Sequence, residues 1–74
     1  MNIEVTKDYY DLWIRIDGAA HVHIPMAKYL GFSSWTDTVD CCCIEFALAG
    51  GSIRVEYTSE AKWLAVLKQL EQVL

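Results

Sequence analysis

From Cys42 to Leu74 the chain runs strand, Gly-Gly turn, strand and amphipathic helix, and that order leaves few ways to bury the apolar residues it carries. Within a β-prone run from Val39 to Leu48, Cys42, Ile44, Phe46 and Leu48 alternate with Cys43, Glu45 and Ala47. That is the period-two signature of a strand with distinct faces. After Gly50-Gly51 the alternation resumes through Ile53, Val55 and Tyr57. A turn centred on the two glycines predicts Leu48 facing Ile53, Phe46 facing Val55 and Ile44 facing Tyr57. It also sets Glu45 against Glu56, a destabilising like-charge pair that Arg54 softens from the diagonal. Thr58 or Ser59 then caps a helix with Glu60 in its first turn. Trp63, Val66, Leu67, Leu70 and Leu74 form one stripe, flanked by Leu64 and Val73, while Lys62, Lys68, Gln69, Glu71 and Gln72 lie opposite. The stripe is expected to pack on the Ile44, Phe46 and Val55 face.

The upstream half reads as more strand. Ile3 and Val5 alternate with Asn2, Glu4 and Thr6; Tyr10, Leu12, Ile14 and Ile16 alternate with Asp11, Trp13, Arg15 and Asp17. A Lys7-Asp8 turn would pair Val5 with Tyr10 and Ile3 with Leu12, keeping one face apolar. Asp17-Gly18 is a strong turn signal. A two-residue turn there would place His21 opposite Ile14. A three-residue turn, Asp17 to Ala19, places Val22 opposite Ile14 and Ile24 opposite Leu12. The second is expected because it buries both aliphatics, and it leaves His21 and His23 together on the other face. Pro25 ends the strand, Met26 to Leu30 followed by Gly31 reads as one capped helical turn, and residues 32–38 read as a polar loop carrying Phe32 and Trp35.

At 74 residues the chain is expected to form one domain, near the lower size limit for independent folding. The expected fold class is α+β: a small antiparallel β-meander of four or five strands with the C-terminal amphipathic helix packed on one face. The composition is 54% hydrophobic, with three Trp and four Tyr, more than one small core needs to hide. Surplus of that kind marks an interface. Ten acidic against six basic residues give a net charge of −4. The six cations are scattered, with none of the basic striping of a nucleic-acid binder. No secretory leader and no membrane-spanning run is visible, and three adjacent cysteines do not make a disulfide framework. The expected compartment is the cytoplasm.

Two constellations invite chemistry. Cys41, Cys42 and Cys43 alternate faces in a strand, so only Cys41 and Cys43 share a side, and by parity it is the side of His21 and His23. Were residues 19–24 and 39–48 neighbouring strands, those four residues could form a tetrahedral zinc site. Against this, cysteine also serves as a small apolar strand residue, paired histidines are ordinary on a sheet surface, and the spacing matches no zinc-finger pattern. Nucleophilic catalysis would need a positioned base and an orienting acid; no such motif is present, and Gly50-Gly51 lacks the Lys-Ser/Thr and helix start of a phosphate loop.

What remains is a surface. One helix covers one side of a sheet, so the other side faces water, a second copy or a partner. Trp13, Arg15, His21, His23, Trp35 and Arg54 are the candidate contact residues, Trp and Arg being the types enriched at interface hot spots. The expected function is a small non-catalytic regulatory or interaction protein. It would bind a protein partner, or itself as a homodimer, through the helix-free sheet face or an edge strand. It would have no cofactor, no direct nucleic-acid contact and no membrane association. A narrower version is an acidic inhibitor of nucleic-acid-binding machinery, of the sort phages or mobile elements encode. The alternative is the zinc-binding domain using His21, His23, Cys41 and Cys43.

Overall fold

The computed structural model describes residues 2–38 and 41–74. Its elements are β1 (Ile3–Lys7), β2 (Asp11–Ile16), β3 (Ala19–Pro25), a 3₁₀ turn (Met26–Lys28), β4 (Tyr29–Thr38), β5 (Cys41–Leu48), β6 (Gly51–Tyr57) and α1 (Glu60–Val73). The α+β class holds. The single meander of four or five strands does not: the strands form two three-stranded antiparallel sheets, β1-β2-β3 and β4-β5-β6. The strand count rises to six because residues 29–38, whose pattern predicts a helical turn and a loop, form an edge strand along β5. Strand formation is set by cross-strand packing more than by intrinsic preference, and Phe32 lies opposite Phe46 with ring centroids 6.1 Å apart. The helical turn shrinks to the 3₁₀ segment before Tyr29.

One hydrophobic cluster joins both sheets and the helix. Val5, Leu12, Ile14, Val22 and Ile24 come from the first sheet, Cys42, Ile44, Phe46 and Tyr57 from the second, and Val66 and Leu70 from α1. Fully burying a large aliphatic or aromatic side chain stabilises by roughly 1.5–3 kcal/mol, so this cluster is the main favourable term. The helix begins as expected at an N-cap Ser59, whose Oγ accepts from the Lys62 N–H at 3.3 Å. Its stripe is narrower than expected, with Leu74 exposed beside the flanking Leu64. No helix among the described residues is long and apolar enough to cross a membrane.

Registers depart from the expected pairings by even numbers, so every face is preserved. Val5 pairs with Ile14 and Ile3 with Ile16, not with Tyr10 and Leu12. The hairpin turns at Tyr9-Tyr10 instead of Lys7-Asp8, because the Asp8 carboxylate accepts from the Tyr10 and Asp11 N–H groups at 2.8 and 2.7 Å. Those two bonds to the charged form hold the Asp8 carboxyl below its usual range. In β5–β6 the turn is Ala49-Gly50, with Gly50 at φ +90°. Consequently Phe46 faces Ile53, Ile44 faces Val55, and Glu45 faces Arg54 rather than Glu56. The shift replaces the like-charge pair by an opposite-charge one. The expected strand start at Val39 lies outside the described residues.

Between β2 and β3, Ile14 faces Val22 and Leu12 faces Ile24, as expected. The route differs. Asp17 and Gly18 adopt φ +51° and +83°, the doubly positive pattern of a two-residue type I′ turn. A β-bulge then absorbs His21 as the extra residue opposite Ile14 and Arg15. Turn chemistry and core pairing are both satisfied, and His21 leaves the alternation.

An unanticipated contact ties the ends of the chain together. The side-chain amide of Gln69, on the helix, accepts from the Val5 N–H at 2.8 Å and donates to the Ile3 carbonyl at 2.7 Å. It stands in for a neighbouring strand along the free edge of β1, the kind of edge that otherwise invites pairing with another chain.

Candidate functional site

Each sheet has an outer face turned away from the shared cluster, and each outer face carries a tryptophan beneath an arginine. On the first sheet, Leu12 and Ile14 point inward, so Asp11, Trp13 and Arg15 point outward from the central strand. The His23 ring stacks on Trp13 with centroids 4.1 Å apart at 25°. The Arg15 guanidinium lies 4.9 Å from the Trp13 ring centre, within cation–π range, and its Nη1 donates to Thr6 Oγ1 at 3.2 Å. His23 Nε2 lies 2.6 Å from Asp11 Oδ1. Both of those groups are more than a third exposed, so solvent screens the pair and it orients more than it stabilises. The result is a continuous row, Asp11–His23–Trp13–Arg15–Thr6, that fixes the indole and the guanidinium in one arrangement.

On the second sheet the pair spans strands. Trp35 is on β4 and Arg54 on β6, with the guanidinium 5.1 Å from the Trp35 ring centre and Arg54 Nε 4.0 Å from Glu45. Arg54 therefore reaches across the middle strand. Cys43, the register partner of both Trp35 and Glu56, lies in that middle strand and is 1% exposed, although its side chain belongs to the outer face. Burial, the hydrogen bond with Cys41 and the nearby Glu56 and Asp37 charges all push the Cys43 thiol up from its ordinary value.

The candidate contact residues are thus divided between two faces. Trp13, Arg15 and His23 form one group, and Trp35 and Arg54 another. His21 joins neither: the bulge brings its ring to Tyr57, with centroids 5.6 Å apart. The four-residue zinc set is not assembled, because β3 and β5 belong to different sheets and His21 has parted from His23. Among the described residues, the metal-ligating atoms that do converge are those of Asp37, Cys41 and Cys43, all within 4.8 Å of one another.

Two further features escaped sequence reasoning. Tyr9 and Tyr10, at the β1–β2 tip, are exposed and meet edge to face at 4.9 Å. With Met26 and Ala27 they line an open cavity of about 380 Å³. Adjacent tyrosines beside a turn-forming Asp are the signal for it, with the turn two residues later than Lys7-Asp8. Asp37 is the other: it is the extra residue of a bulge between Thr36 and Thr38, and nothing in a stretch taken as loop marks it. Comparison with protein-family models, with curated proteins and with solved structures finds no match to this chain.

Proposed function

We propose that this is a small non-catalytic binding module, acting in the cytoplasm, that docks a protein partner on the outer face of β1–β3 around Trp13 and Arg15. The observation that supports this is the pre-set geometry of that face. Immobilising a long side chain at an interface costs roughly 0.5–1.5 kcal/mol, and here Arg15 is already held by Trp13 and Thr6 while Trp13 is held by His23. An arginine and an indole fixed before encounter are suited to anchoring a contact. A second copy of the chain is one such partner, and a basic nucleic-acid-binding protein another. The net charge of −4 supports the narrower reading of an acidic inhibitor, since opposite charge speeds encounter with a basic surface.

The test compares Trp13→Asp with Trp35→Asp. Sedimentation reads self-association, and crosslinking followed by mass spectrometry in cells reads foreign partners. Trp13→Asp should abolish the crosslinked or dimeric species while circular dichroism stays unchanged, and Trp35→Asp should leave it in place. If both variants retain every partner, the Trp13 face is not the docking surface. Edge strands would then be the remaining route, and β1 is already capped by Gln69.

A further inference from the structure

The structure also holds a convergence of soft and hard donors that the binding face does not use. Cys41 and Cys43 are separated by one residue on β5, so their side chains leave the same side of the strand. Asp37 reaches that side from β4, at the bulge that interrupts the Thr36 to Thr38 pairing. Its Oδ2 accepts from the Cys41 thiol at 3.9 Å, and the two sulfurs and the carboxylate lie within 4.8 Å of each other. Tetrahedral coordination at about 2.3 Å per bond sets donor atoms about 3.8 Å apart. The three groups therefore need to close by an ångström or less. Glu56, opposite Cys43 on β6, adds a second carboxylate to the surroundings.

We propose that Asp37, Cys41 and Cys43 bind a thiophilic divalent cation of the zinc class, with two sulfur ligands, one carboxylate ligand and a fourth position left to water. The donor set carries the assignment. Two cysteine sulfurs select against magnesium and calcium, which take oxygen ligands. A carboxylate as third ligand and an open fourth position differ from the closed all-cysteine or cysteine–histidine pattern of a structural zinc site. The geometry supports this too: Asp37 is exposed, Cys41 half-buried and Cys43 buried, so the site has an open side through which a hydrated ion can enter and a protected side that holds it. The two thiols release their protons as the cation binds, leaving a complex of net charge −1 from one dication, two thiolates and one carboxylate.

The experiment uses the untagged 74-residue chain under reducing conditions, titrated with Zn²⁺ and, as a spectroscopic stand-in, with Co²⁺. One equivalent should bind, and the cobalt form should show thiolate-to-metal charge transfer together with the visible bands of a four-coordinate ion. Cys41→Ser should cut the charge-transfer intensity per bound cobalt to about half, one thiolate of two remaining, and weaken binding at least tenfold. Asp37→Ala, a change at an exposed residue that leaves the core intact, should weaken it about tenfold or more. The double variant His21→Ala with His23→Ala should bind as the wild type does. No uptake, uptake unchanged by both Cys41→Ser and Asp37→Ala, or uptake lost in the histidine variant would each overturn the proposal.

Discussion

The two sheets are alike in strand number, strand direction and ornament, yet they use the same residue pair differently. In β1–β3 the inward Val5, Leu12, Ile14, Val22 and Ile24 are buried and the outward residues are at least partly exposed, so Trp13 and Arg15 form a platform on top of a one-sided sheet. In β4–β6 the middle strand is buried on both sides from Cys42 to Ile44, and Trp35 with Arg54 spans it from its two neighbours. There the tryptophan and arginine act as a roof. A Trp–Arg contact therefore does not identify a binding surface by itself. What lies beneath it decides, and beneath Trp35 lies a thiol kept from water.

The strongest way to break this comparison is to strike what the sheets share. Phe46→Ala removes the largest fully buried side chain and should cost about 3–5 kcal/mol, a large part of the stability of so small a domain. Chemical denaturation followed by circular dichroism and by tryptophan fluorescence should still give one coincident transition at a lower midpoint. Two separated transitions would mean that the sheets fold as independent units.

Tyr57 sits on the core face of the second sheet beside His21 of the first, and it offers a pH-dependent probe of that junction. Its hydroxyl is buried without a hydrogen-bond partner among the described residues, and burial pushes its pKa up to about 12. The unfolded value is near 10, so the folded state favours the protonated form. The corresponding stability is fully present below pH 10 and is lost as pH rises from there towards 12, amounting to roughly 2–3 kcal/mol at about 1.4 kcal/mol per unit. Tyr57→Phe should match or slightly exceed the wild type at neutral pH, because it deletes an unsatisfied polar atom. It should also unfold at higher pH in an alkaline titration. Identical alkaline midpoints would show that the hydroxyl reaches water.

The smallest effect bears most directly on platform against roof. Trp35→Ala should raise the rate at which a thiol reagent modifies Cys43 at least tenfold, at a stability cost of about 1–2 kcal/mol. Trp13→Ala should leave that rate unchanged. Peptide mapping after timed labelling separates Cys43 from Cys41 and Cys42. Equal rates in the two variants would remove the distinction drawn between the faces.

These regions also differ in how much of them can be read from residues alone. The first sheet follows from alternation: Leu12, Ile14, Val22 and Ile24 point inward because every second residue is aliphatic, and the Ile14–Val22 pairing follows from burial. What alternation cannot specify is an even-numbered offset, since it keeps every face intact. Val5 therefore faces Ile14, four residues beyond Tyr10, and Phe46 faces Ile53, two before Val55, with no face changed. Bulges are invisible for a related reason. One extra residue at His21 reconciles a two-residue turn with the aliphatic pairing, and no local pattern announces it. Strand β4 was missed outright, because Phe32-Ser33-Ser34-Trp35-Thr36 has too few apolar residues to signal a strand without the partner that pairs with it. The Asp37, Cys41 and Cys43 trio inherits all three difficulties: one member on β4, at a bulge, and two in a run whose partners depend on register.

The Gln69 contact with β1 has a consequence in time as well as in space. The bonds join residue 69 to residues 3 and 5, so they close a loop of nearly the whole chain. During synthesis the first sheet can form while the ribosome still shields the helix, and until Gln69 emerges the edge of β1 has no cover. The nascent protein therefore passes through an interval in which that open strand is available to a chaperone, to a neighbouring chain on the same message, or to a misfolding route. The last turns of the helix end that interval.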